Sequence, residues 1–397
     1  MAGKNWLAGG WLLLLAGCAV QMRQAESGTG ALATATATII RDERALERHL
    51  EQALGHGSPL DAFAAGARTR FLRGLRFGRG GVAGFDFADL EETLSAEQAA
   101  AVLGLFGLDE YLAALQPLPQ PLPARAFETP FERRYLVFHE AAAGQPQAVT
   151  PALANLLEHE TAATVALRLD TYERLLLLRA LLVALRRESS PARATEVIAV
   201  LDLLDRERAA QPRQIQRVDQ ALISARDFAA AARLRQRFPD RGLASLPTRD
   251  FDDTQAPLPE SVLEISADAL QMSRRRIELD RGLRIVVVAG CHFARDAARA
   301  IAADPELDRL FRVHGTWLAA QSESFAAVAE WNREFPTQPM HIAWRDRDWP
   351  RIRSWAMPAF HVFRDGELVT RWNGWPADTG LATLRRQLRA AGVGGLP

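Results

Sequence analysis

Few residues in this sequence are equipped for chemistry, and the thiols come first: there are two cysteines, Cys18 and Cys291. Cys291 opens the segment Cys291-His292-Phe293-Ala294, directly after the β-branched run Ile285 to Val288 and at the start of a stretch with helical spacing. A cysteine placed there meets the positive end of the helix dipole and unpaired amide donors, both of which favour the nucleophilic thiolate. Position 294 is alanine. A mixed disulfide at Cys291 therefore has no resolving thiol three residues on, and turnover needs an external thiol or a second protein. The alternative is a small residue kept for packing. His292 would support a thiolate if its ring lay close and protonated, although an adjacent helical side chain points elsewhere about as often.

The remaining candidates are weaker. His341 and His361 fall on predicted strands and could face each other, yet isolated strand histidines more often serve core or surface than a metal, and no metal is expected. His159-Glu160 begins a zinc-protease pattern on a helix, but Ala163 stands where the second ligand would be. Arg68, Arg70, Arg73, Arg76 and Arg79 crowd five cations into twelve residues, which reads as a solvated helix face. Lys4 is the only lysine, so lysine Schiff-base chemistry has no residue beyond it. Haem attachment would need a cysteine at Val288. No cofactor is expected.

The elements that position Cys291 are set by patterning. The chain of 397 residues is 48% hydrophobic and 24% charged, with 48 basic and 48 acidic groups. It can bury a core, its length favours two folded units, and its neutrality argues against a nucleic-acid partner. The expected class is α + α/β. Lys4 followed by the apolar stretch Trp6 to Ala16 reads as a signal peptide over 1–17, and the small polar residues of 18–40 as a tether. Helical spacing governs 41–238, interrupted by a glycine-rich loop at Gly78 to Gly84 and a Pro-rich break near 116–123. Ser95 and Gln98 form a capping-box pattern, and Thr150-Pro151 fits a helix start from which helical spacing runs to Arg187. Helices at Pro191 to Arg208, Pro212 to Ser224 and Asp227 to Phe238 precede a linker at 239–260. In 261–397, strands alternate with helices: strands at Val262 to Ile265, Ile285 to Val288, Val313 to Leu318, Met340 to Trp344, Ala359 to Phe363 and Glu367 to Trp372. The helices are Phe293 to Ala303, Glu323 to Phe335, a short one near Trp349 to Ser354, and Asp378 to Ala391. Asp365-Gly366 supplies a hairpin turn.

Two resemblances attach to these residues. Leu15-Ala16-Gly17-Cys18 resembles a bacterial lipobox, which implies cleavage before Cys18, lipidation of Cys18, and anchoring by several acyl chains. Ala19 in the next position then implies the outer membrane, facing the periplasm. From about Val262 to Ala391 the chain resembles a redoxin of the TlpA/ResA-like thioredoxin superfamily. The match is carried by Cys291 at the strand-to-helix junction, the extra strand-helix unit before Met340, and Met357-Pro358 opening the hairpin. The resemblance implies a thioredoxin-like α/β domain in which Pro358 is cis and lies against the thiol. It departs at Gly290, where an aromatic residue is expected, and at Ala294. Two readings follow: a membrane-anchored monothiol oxidoreductase-like protein forming mixed disulfides with protein or small-thiol partners, or a non-catalytic assembly protein on a degenerate scaffold. Cys18→Ser is expected to abolish acylation and release the protein from membranes. Intact mass and fractionation check this, and an unlipidated parent that fractionates like the mutant would sink the anchor.

Overall fold

A computed structural model describes residues 39–78, 80–115, 125–144, 148–187, 190–252, 258–352 and 354–393. The signal-peptide region, Cys18 with nearly all the tether, Arg79 and the Pro-rich break lie outside the described residues. The chain divides into two compact units between Val218 and Asp219. The first is helix-rich, and the second contains a large mixed sheet flanked by helices.

In the first unit, α1 (Glu43–Ala53) and α2 (Ala65–Gly74) lead into a two-stranded hairpin, β1 (Arg76–Gly78) and β2 (Gly81–Gly84). Gly78, Gly81 and Gly84, expected in a loop, are instead paired in these two strands. The following helices are α3 (Ala88–Thr93), α4 (Ala96–Leu105), α5 (Pro130–Gly144), α6 (Val149–Leu156), α7 (Ala162–Arg168), α8 (Thr171–Arg187), α9 (Pro191–Arg206) and α10 (Pro212–Ser224). The Ser95 box closes reciprocally: Gln98 N donates to Ser95 Oγ and Ser95 N to Gln98 Oε1. The helix expected from Thr150 to Arg187 is instead three helices. Glu158 and His159 adopt positive φ of 52° and 63°, which stops α6, and Thr161 caps α7 through its hydroxyl. Helix α8 is buried on nearly every side, with Leu176, Leu177, Leu181 and Leu185 fully enclosed between α5, α6 and α9.

The unit boundary falls inside α10, and α11 (Phe228–Arg237) belongs to the second unit. Eight strands form its sheet: β3 (Thr248–Arg249), β4 (Ser261–Ile265), β5 (Gln271–Arg276), β6 (Leu283–Val288), β7 (Gly315–Ala319), β8 (Met340–Ala343), β9 (Ala359–Arg364) and β10 (Glu367–Asn373). Their order is β10-β9-β6-β7-β8-β4-β5-β3. Strands β6, β7 and β8 run parallel, while β9 is antiparallel to β6 and β4 to β8. Helices α12 (His292–Ala303) and α13 (Pro305–His314) connect β6 to β7, α14 (Phe325–Glu334) connects β7 to β8, and α15 (Gly380–Ala390) follows β10. Val286, Val287 and Val288 are completely buried, as a central strand covered on both faces requires.

Three expectations need correction here. The strand placed at Val313 begins at Gly315, because Asp304-Pro305 starts another helix whose cap Asp304 accepts from the Glu306 and Leu307 amides. The short helix near Trp349 is a single 3₁₀ turn at Asp346–Asp348. Strand β5 was hidden by its composition, Gln-Met-Ser-Arg-Arg-Arg, which offers one buried apolar residue, Met272.

One arginine ties α11 and the end of α10 to this sheet. Arg226, between the two helices at φ 63°, is 6% exposed. Its guanidinium donates to the carbonyls of Trp344 at 2.7 Å, Ala343 at 2.6 Å, Gln321 at 3.2 Å and Ile223 at 3.1 Å. Burial pushes its pKa down to about 9, with Asp346 opposing, so it remains a cation at neutral pH. Gln321 adds a bond from Nε2 to Ser224 O and exchanges two more with Asp346. Arg226→Met is expected to cost the second unit about 3 kcal/mol by orphaning buried carbonyls. Every tryptophan after Trp11 lies in that unit, so urea unfolding followed by tryptophan fluorescence checks it; an unchanged midpoint would count against the assignment.

Candidate functional site

Cys291 caps α12 with extended backbone, φ −107° and ψ 169°, and its side chain makes no capping hydrogen bond. Its carbonyl starts the helix by accepting from Ala294 N and Arg295 N. The thiol is half-buried and is the free cysteine among the described residues, while Ala294 is completely buried. Strand β6 delivers Cys291 at its carboxyl end, and β9 brings up Met357-Pro358, whose peptide bond is cis and whose proline is buried. The Pro358 carbonyl accepts from Gly374 N at 2.8 Å.

The wall beside the thiol is built from residues that motif reading passed over. Gly290 sits at φ 150°, and a Cβ there would lie 2.7 Å from Glu323 Oε2 and 3.0 Å from Met357 Sδ. The aromatic expected at 290 thus has neither the backbone conformation nor the room. Glu323 arrives on the turn between β7 and α14, closed by its amide donating to Ala320 O and by Gln220 Nε2 donating to Ser322 O. Burial raises the Glu323 carboxyl above its ordinary range, and the Ser324 amide at 3.0 Å pulls partly back. A close approach between residues 33 positions apart leaves no local signal in a sequence.

His292 is exposed, and its ring packs on that of Phe293 with centroids 3.8 Å apart. Phe293 itself is 49% exposed, an uncommon position for a large apolar side chain on a helix's first turn. His341 and His361 do not face each other. His341 on β8 lies 3.7 Å from Glu264 of β4, whereas His361 on β9 pairs with Val286, with β6 and β7 standing between the two. Among the described residues no group of three His, Cys, Asp or Glu side chains is arranged to hold a metal ion.

The first unit holds a buried charge cluster that the arginine run only partly disclosed. Arg70, expected on a solvated face, is 3% exposed and bonds Asp89 through Nε at 3.2 Å and Nη2 at 3.0 Å. Asp89 also receives Arg179, which reaches Glu92 at 2.6 Å, and Arg217 joins Glu92 to Glu91. Burial opposes the Asp89 carboxylate, but Arg70 and Arg179 outweigh it and hold its pKa below the ordinary value. Every carboxylate of α3 is matched by arginine, which makes this cluster a fastening rather than a site.

No family model, curated protein or solved structure matches this chain. No helix among the described residues is long and apolar enough to cross a membrane. Gly290→Ala is expected to lose about 2 kcal/mol, from the backbone conformation and the two close contacts, and Glu323→Ala in the same chain should return part of that loss. Urea unfolding of the single and double variants checks this; additive losses would show that Glu323 does not set the space at Gly290.

Proposed function

We propose that this protein is a membrane-anchored, periplasm-facing lipoprotein with a thioredoxin-like second unit, in which Cys291 forms mixed disulfides with protein or small-thiol partners. The observation that carries it is the half-buried thiol at the carboxyl end of the central strand, capping a helix directly after Gly290, against which Met357 of the cis Met357-Pro358 pair closes. The strand arrangement supports the same reading: β6 has parallel β7 and β8 on one side and the antiparallel β9–β10 hairpin on the other. In the step, the Cys291 thiolate attacks one sulfur of a partner disulfide, that S–S bond breaks, and the partner's other sulfur leaves as thiolate. With Ala294 in place of a second thiol, an external thiol must attack the mixed disulfide to restore Cys291. The lipid anchor at Cys18 rests on the lipobox resemblance.

The second reading, a non-catalytic binding protein, draws on Glu323 and Met357, which fill the space beside Gly290. Thiol chemistry separates the two. If Cys291 works as proposed, the parent traps partners from periplasmic extract as mixed disulfides, Cys291→Ser traps none, and Ala294→Cys gains reductase activity on a model disulfide. A parent that traps nothing, reacts no faster than free cysteine, and gains no activity from Ala294→Cys despite folding supports the binding protein.

A further inference from the structure

We propose that His361 is an acid-sensitive latch for the β9–β10 hairpin: protonation of its ring, buried beside Arg371 without a hydrogen-bond partner, releases the hairpin from β6. His361 is 1% exposed, and neither ring nitrogen makes a hydrogen bond. The backbone of Ala359 and Val286 lies near the ring and favours its charged form, which burial and Arg371 outweigh, and neither contact reaches full hydrogen-bond geometry. A buried polar group left in this state costs stability and is uncommon in a folded chain.

Register defines its surroundings. His361 stands opposite Val286 on one side and Arg371 on the other. It shares a face of β9 with Ala359 and Phe363, and the Phe363 ring stacks near it with centroids 6.4 Å apart. That face belongs to an apolar cluster with Val286, Val288, Leu279 and Trp349. Arg371 is the charged group acting on the ring, and it disfavours the imidazolium. Arg284, on the same face of β6, turns its guanidinium to the carbonyls of Glu278 and Leu283 at the strand's start. Arg364, next along β9, bonds the carbonyls of Ala391 and Gly392. Among the described residues no carboxylate acts on the ring.

Protonation therefore places a cation in an apolar layer, where burial is the main cost and Arg371 on the exposed edge strand adds to it, and the ring is relieved only by reaching water. The hairpin can move to do so. It lies at one end of the sheet, where the order runs β10-β9-β6, so it can lift away while β6, β7 and β8 stay paired. Burial lowers the ring's pKa from 6.5 to about 4 in the closed form. The sign follows: an opened form with an ordinary histidine binds the proton more readily below pH 6.5, so opening grows as pH falls, down to about pH 4. From those values the open-to-closed ratio rises about twentyfold between pH 7 and pH 5. Because β9 follows Met357-Pro358, opening would also loosen the wall beside Cys291; that consequence rests on the thiol reading, whereas the latch does not.

Hydrogen exchange on the full chain at pH 7 and pH 5, corrected for intrinsic rates, tests it. Peptides covering Ala359–Asn373 are expected to lose protection about twentyfold while those of β7 keep theirs. His361→Leu should abolish that difference. His341→Gln, on a strand away from the hairpin, should preserve it. If the leucine variant does not fold, Arg371→Gln serves, since removing the neighbouring cation should shrink the pH effect. Equal loss in β7 and the hairpin, an undiminished effect in His361→Leu, or one unmoved by Arg371→Gln overturns the latch.

Discussion

The guanidinium of Arg226 ties α11 and the end of α10 to the sheet of the second unit, because it gathers carbonyls that the strands leave behind. The chain just past β7 and at the end of β8 leaves carbonyls outside the ladder, those of Ala343 and Trp344 on buried residues, and they need donors. Arg226 supplies them for Ala343, Trp344 and Gln321 at once, from a turn between helices that sequence patterning assigned to another region. With Gln321 held from Ser224 and Asp346, the turn up to Glu323 has one position. That position decides what stands beside Gly290, and so the form of the corner around Cys291. A guanidinium suits this role because its planar fork donates in several directions without needing a counter-ion in contact.

The two units solve the burial of arginine differently. Arg226 is surrounded by neutral acceptors, with Asp346 as a charge at longer range, and its proton affinity falls. Arg70 and Arg179 meet Asp89 and Glu92 directly, and the attraction exceeds the desolvation that opposes it. A closed set of matched charges gives little net stability over an apolar core of equal volume, yet deletion of one member leaves the others buried and unpaired, at about 3–5 kcal/mol. The charges on α3 therefore hold that six-residue helix more through the cost of breaking the set than through its net stability.

Much of this was legible from local pattern, and what escaped did so for physical reasons. The β-branched run at β6, the Asp365-Gly366 turn with φ of 49° and 88°, and the Ser95 box are short-range signals carried by a few adjacent residues. The break after α6 lies in two residues of positive φ, Glu158 and His159, neither of which is a glycine that would announce it. Strand β5 bears three consecutive arginines because much of its surface faces solvent, which erases the alternation that marks a half-buried strand. The thiol at the strand end could be read from Cys291 and its neighbours. Glu323, Arg226 and the relation between His361 and Arg371 could not, since each depends on side chains brought together by topology.

Gly290 shows how closely the corner is constrained. Its φ of 150° excludes a comfortable side chain, and the space such a side chain would occupy already contains Glu323 Oε2 and Met357 Sδ. A carboxyl next to the residue preceding a thiol is not a neutral filler. Ionised, it brings a negative charge into the corner; protonated, it can donate a hydrogen bond. Burial shifts Glu323 toward the protonated form. The same displacement of an aromatic wall that narrows the corner thus replaces it with a group whose charge depends on solvent access.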